Sequence, residues 1–268
     1  MGNCFWVNTG AFSFIPIAAT RESTNAAAAP PPRHNAGAPT TTEGMHRMAN
    51  RVRVWDLPTR MFHWALVACV VGLVITGHVG GAAMQWHARL GYAVLALLLF
   101  RICWGFIGGR WSRFSSFIHS PRSVVAHLSG RAHPDHLVGH NPLGALSVLA
   151  MMAFLLAQVG TGLIGDDEIS FTGPLNRFVG NAQGLAATWY HKRVGQWVIV
   201  ALVVLHVTAV LFYLWKKRED LIRPMLHGDK TMTGAVAPSR DDAASRLSAL
   251  VVLAACGGLV AWVVQLGS

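Results

Sequence analysis

Four histidines lie inside, or at the rim of, apolar stretches long enough to cross a bilayer: His63, His87, His191 and His206. An ionisable side chain at membrane depth is costly to bury and marks a functional site by default. His191 and His206 are fifteen residues apart. On an α-helix that spacing offsets them by about 60° around the axis and about 22 Å along it, so both project from one broad face. One helix then offers an imidazole near each side of a hydrocarbon core about 30 Å thick. If other helices bring partners to the same two heights, paired imidazoles can hold two iron porphyrins stacked across the membrane. Iron held by two imidazoles keeps no open position, so its chemistry is electron transfer rather than oxygen binding.

Composition demands a membrane setting for these side chains. The chain has 268 residues, 53% hydrophobic and only 13% charged; a soluble domain carries roughly twice that charge. The net charge of +10 falls in short blocks between apolar runs, a pattern of membrane topology rather than nucleic-acid binding. Apolar spans are expected at about 62–79, 88–108, 143–165, 190–214 and 247–266. Arg47, Arg51, Arg53 and Arg60 precede the first span. Arg110, Arg113, Arg122 and Arg131 follow the second, and Lys216, Lys217, Arg218 and Arg223 follow the fourth. The opposite loops are poor in cations, and one opens with Asp166, Asp167 and Glu168. The asymmetry puts the N-terminus in the cytoplasm and the C-terminus outside.

With that topology the histidines pair by depth. His63 starts the first span and His206 ends the fourth, both on the cytoplasmic side. His87 starts the second and His191 the fourth, both on the outer side. A short echo supports the outer pair: WHARLGYAV at 86–94 and YHKRVGQWV at 190–198 share aromatic-His-x-Arg-apolar-Gly. Gly91 and Gly195 each lie one turn after their histidine, where a missing side chain lets a flat ring approach the backbone. Arg89 and Arg193 are placed to meet anionic propionates at the outer site. Arg60, Arg101 and Lys216 are the corresponding candidates at the inner one. His78, fifteen residues after His63, competes with His87, but the glycines of TGHVGG argue against regular helix there.

The remaining residues carry less. Cys4, Cys69, Cys103 and Cys256 form no CxxC or CxxCH motif, which excludes covalent c-type haem and a cysteine zinc site. His119, His127, His133, His136 and His140 crowd one basic loop, read as interfacial and partly cationic rather than as a metal site. Residues 1–50 read as a disordered Ala/Pro/Thr-rich extension, 51–230 as the core, 231–245 as a linker and 246–268 as a C-terminal anchor helix.

At VWDLPTRMFHW, WHARLGY, FRICWGFIG and WYHKRVGQWVIVALVVLHV the chain resembles the bacterial cytochrome b561 and nickel-hydrogenase b-type cytochrome family. The DLPTR lead-in is more similar to b561-like members than to dedicated hydrogenase subunits. The resemblance, covering about residues 52–230, implies an all-α, membrane-spanning bundle: a four-helix dihaem cytochrome b core, with the fifth helix outside it. It implies two non-covalent b haems on His63, His87, His191 and His206. It further implies electron exchange in the bacterial inner membrane between quinone and a partner, a c-type cytochrome or a dehydrogenase subunit. The alternative is a self-contained oxidoreductase acting on superoxide or a metal chelate.

Overall fold

A computed structural model describes residues 49–118, 120–129, 131, 138–169 and 171–267. The 1–48 part of the expected extension, and His119, His133 and His136 of the basic loop, lie outside the described residues. Among the described residues, five helical stretches are long and apolar enough to cross a membrane: α1 (Leu57–Val79), α2 (Met84–Ile107), α4 (Pro142–Ile164), a continuous run made of α5 (Asn181–Tyr190), a π turn (His191–Gly195) and α6 (Gln196–Trp215), and α8 (Ala243–Gln265). Two shorter helices, α3 (Pro121–Leu128) and α7 (Ile222–His227), sit in the connections.

Three of the long helices, α1, α4 and α8, start where the sequence supplies a side-chain cap. Asp56 accepts from the Thr59 amide at 2.8 Å, Asn141 from Gly144 at 2.7 Å and Asp242 from Ser245 at 2.8 Å. These side chains occupy amide donors that have no partner within the helix. Pro58 and Pro142 sit in the first turns of α1 and α4, where a missing N–H costs nothing. Gly80 and Gly81, both at positive φ, end α1 and turn the chain into α2, a conformation glycine adopts without strain. α1 therefore runs regularly through His78. The glycine that matters for its end is Gly80, so the TGHVGG stretch is more helical than expected.

α1 packs along α2, α2 also along α4 and α8, and α4 along α5 and α6. Among the described residues α1 and α6 scarcely touch. One apolar core joins Val94 and Leu98 of α2 to Met152, Leu155, Val159 and Leu163 of α4 and Ile199 of α6. A second sets Ala249 and Cys256 of α8 against Phe62, Phe100 and Trp104, so α8 packs on α2 and α1 rather than on α4 or α6.

The arginine-rich end is closed by polar structure that periodicity does not announce. β1 (Ala49–Arg53) pairs antiparallel with β2 (Asp229–Thr233), with Arg53 opposite Asp229 and Ala49 opposite Thr233. Arg53 bonds Asp229 at 2.6 Å and Asp241 at 2.7 Å, and Asp241 also meets Arg246 at 3.1 Å. Ser239 donates to the Val54 carbonyl at 2.7 Å. The stretch expected as a linker is thus bonded into the core. Asp56, fully buried, is a hub. Beyond its own cap it accepts from Trp104 Nε1 at 3.2 Å, the Gly109 amide at 3.1 Å and the Ser112 hydroxyl at 2.7 Å.

Candidate functional site

The four histidines come together in two pairs, each joining different helices. His63 of α1 faces His206 of α6, with ring centres 6.4 Å apart and planes inclined by 53°. His87 of α2 faces His191 at the π turn, at 6.1 Å and 72°. The first pair lies at the end carrying the strand pair, the second at the Gly80–Gly81 end. All four rings are half-buried.

The environments of the pairs differ. His87 Nδ1 lies 3.1 Å from the Leu73 carbonyl and 3.3 Å from Thr76 Oγ1. His191 Nδ1 lies 2.8 Å from the Gln158 carbonyl and 3.3 Å from Thr161 Oγ1. A carbonyl accepts only, so Nδ1 carries the proton in both rings and Nε2 is the nitrogen free to ligate. Gly77 and Gly162 make room for these rings. A Cβ at either would stand 3.2 Å from His87 Cε1 or 3.3 Å from His191 Cε1. At the other pair, His63 Nδ1 is buried without a partner, although the ring lies edge-on to Trp64 at 5.0 Å.

The π turn shapes the second pair. A π turn inserts one extra residue into a helix and recurs at functional sites. Here the Gln158 amide donates to the His191 carbonyl at 3.0 Å. Gly195 lets it do so, because a Cβ there would collide with Gln158 Oε1. Gly195 therefore faces Gln158, whereas a Cβ on Gly91 would meet nothing within 4 Å. Open space is what a flat ring needs; on this geometry Gly91 alone of the two glycines offers it.

The expected propionate partners occupy varied settings. Arg101 is buried with its guanidinium 5.2 Å over Phe114 and 5.7 Å from Phe117, and Nη1 has no partner. Arg60 donates from Nη1 to the Leu226 carbonyl and leaves Nε unpartnered. Arg89 is exposed and stacks 5.0 Å over Trp86. Arg193 and Lys216 are exposed as well. His78 is kept apart from both pairs: its Nδ1 bonds the Val74 carbonyl at 2.8 Å and its Nε2 approaches Gln196 at 3.5 Å. His140 of the basic loop packs between Trp55 and Phe117, 4.7 Å from each.

The donor set fits a macrocycle better than a bare ion. Imidazoles sharing one metal, with bonds of about 2.0–2.1 Å and ring centres about 1.1 Å behind the nitrogens, would stand roughly 6.3 Å apart. Both observed separations match that span. Among the described residues no group of three or more His, Cys, Asp or Glu could hold a metal, and a structural zinc needs four ligands. A porphyrin, which brings its own nitrogen donors to the metal, is a group that two imidazoles per site would hold.

Thr76, Gly77, Gln158, Thr161, Gly162 and Asp56 were not singled out from sequence. A signal for four of them was present. Thr-Gly occurs at 76–77 and again at 161–162, each time near the end of the helix that packs against a ligand-bearing one.

A probable Ni/Fe-hydrogenase B-type cytochrome subunit of Azotobacter vinelandii is 26% identical over 218 residues, covering 68% of this chain and 89% of the relative. The similarly described protein of Rhodobacter capsulatus is 27% identical, covering 69% and 83%. The probable hydrogenase 1 B-type cytochrome subunit of Escherichia coli K12 is 25% identical, covering 63% and 83%. The family model described as prokaryotic cytochrome b561 matches residues 54–228, a span that includes both histidine pairs, the three helical stretches that carry them and α4. The chain therefore belongs to the prokaryotic cytochrome b561 family, multi-pass b-type cytochromes of electron transport.

Proposed function

We propose that this cytochrome holds two b haems, one between His63 and His206 and one between His87 and His191, and carries electrons between quinone and a partner redox protein. The observation that carries the reading is the spacing of the two ring pairs, 6.4 and 6.1 Å, each suited to a metal between two imidazoles. Haem b supplies one-electron cycling between ferric and ferrous iron. The chain's residues do the rest. Leu73, Thr76, Gln158 and Thr161 orient the rings and fix their tautomer, Gly91 leaves room, and the arginines offer charge to propionates.

The arginine-rich end, with the His63–His206 pair, faces the cytoplasm of the bacterial inner membrane, a reading supported by its cation excess. The relatives' description as Ni/Fe-hydrogenase B-type cytochrome subunits supports a hydrogenase as the partner, in preference to a c-type cytochrome. The test is a reduced-minus-oxidised spectrum with a pyridine haemochrome count on the purified full chain. Two b haems per chain are expected; a colourless protein overturns the reading.

A further inference from the structure

The two ligand pairs are held unequally, and the inequality is built from a repeated unit. Leu73, Thr76 and Gly77 stand at positions i, i+3 and i+4 of α1; Gln158, Thr161 and Gly162 stand at the same offsets in α4. In each unit the first residue's carbonyl and the threonine hydroxyl face a histidine Nδ1, and the glycine lies under the ring. Each hydroxyl donates its one proton back to its own helix, Thr76 to the Gly72 carbonyl at 2.7 Å and Thr161 to the Ala157 or Gln158 carbonyl, each at 2.9 Å. Its lone pairs are then what the imidazole N–H meets. Both His87 and His191 thus donate to a carbonyl backed by a second acceptor. The other pair has no such unit: His63 Nδ1 is buried without a partner, and among the described residues no hydrogen bond reaches the His206 ring.

An imidazole that gives its N–H to an acceptor becomes a more basic ligand. A more basic ligand favours the higher-charged oxidised ion and lowers the site's reduction potential. Nearby charges do not reverse this. The cations at the His87 end, Arg89, Lys192 and Arg193, are exposed and screened by solvent. At the His63 end, buried Arg101 is balanced by buried Asp56. Resting on the dihaem reading above, we propose that these paired threonine units set the His87–His191 site at the lower reduction potential and leave His63–His206 the higher. Thr76 and Thr161 act as positioning residues.

The experiment is an optical redox titration of the purified full-length holoprotein, following the α-band, after its haem count. Wild type is expected to titrate in two resolved steps. His63→Ala should keep only the lower step and His87→Ala only the higher. The conservative double variant Thr76→Val/Thr161→Val, which keeps all four ligands, should move the lower step upward and leave the higher in place. Coincident steps in wild type, the higher step surviving in His63→Ala, or a shift of the higher step in the threonine variant each overturn the ordering. A haem count below two overturns the dihaem reading itself, and the ordering with it. A dihaem protein with reversed steps overturns the ordering alone.

Discussion

Gln158 grips His191 from two directions: its carbonyl accepts the ring Nδ1 proton at 2.8 Å, and its amide donates to the His191 carbonyl at 3.0 Å. The second bond occupies a carbonyl within the π turn, where the regular helical bonding pattern is interrupted. Gln158→Leu keeps the bulk and the backbone acceptor but removes that amide. Loss of a partner that orients a ligand typically weakens metal retention roughly 10–100-fold. One haem of the two is expected to be retained poorly through purification, measured by haemochrome count against protein, while the His63–His206 haem stays.

Gly195→Ala should act on the same turn by a different route. Its new methyl meets Gln158 Oε1 and Tyr190, so the amide must move off the His191 carbonyl. Overpacking of this kind costs about 1–3 kcal/mol. The expected result is a lower unfolding temperature in detergent together with the spectral change of Gln158→Leu.

His78→Ala distinguishes the two candidates for the outer ligand. His78 is tied to Val74 and Gln196 rather than to His191. Its replacement should leave the haem count and both α-bands unchanged, whereas His87→Ala removes one. Loss of a haem in His78→Ala would contradict the pairing.

Asp56→Ala strips acceptors from the Thr59 and Gly109 amides, the Trp104 indole and the Ser112 hydroxyl. Buried donors left without a partner cost about 1–3 kcal/mol each, partly recovered by relaxation. A net loss of about 3–5 kcal/mol is expected, read as thermal unfolding in detergent. Asp56→Asn keeps the helix cap and should lose less.

Asp241 gives the arginine-rich end an acid sensitivity. Burial opposes its ionisation, but hydrogen bonds from Arg246 and the Leu57 amide, with the charges of Arg246 and Arg53, outweigh burial and hold its carboxyl below the ordinary value of 3.8. A carboxylate lowered by folding adds stability that is fully present above the unfolded value and is lost as pH falls through the folded one. Unfolding followed between about pH 7 and pH 3 should show stability declining at the acid end. Asp241→Asn should remove about 1–2 kcal/mol near neutrality and flatten that decline.

Much of the site could be read from the chain because hydropathy and depth are one-dimensional. The spans follow from apolar length, their direction from the arginine blocks, and the expected partner of each histidine from its height. The π turn was not readable. It advances the helix by one extra residue, shifting the phase between His191 and His206 by about 100°, from about +60° to about −40°. Both values leave the two rings on one broad face, so the expectation survived an irregularity it did not contain. The Thr76 and Thr161 units were missed because their partners lie eleven and thirty residues away, beyond any local periodicity. The strand pair was missed because five-residue strands rich in Arg, Lys and Thr look like solvated loop. Asp56 was hidden by its ordinary place at a helix start; only the fold shows three further donors converging on it.

Arg53 and Asp229 meet although 176 positions separate them along the chain. For two such segments to zip together beside a bilayer, the polypeptide between them must traverse it an even number of times. A nascent chain that skips one crossing leaves the two strands in different compartments, with hydrocarbon between them and neither arginine nor aspartate neutralised. The small sheet thus tests the parity of insertion, and a chain with an odd number of crossings between the strands cannot close it.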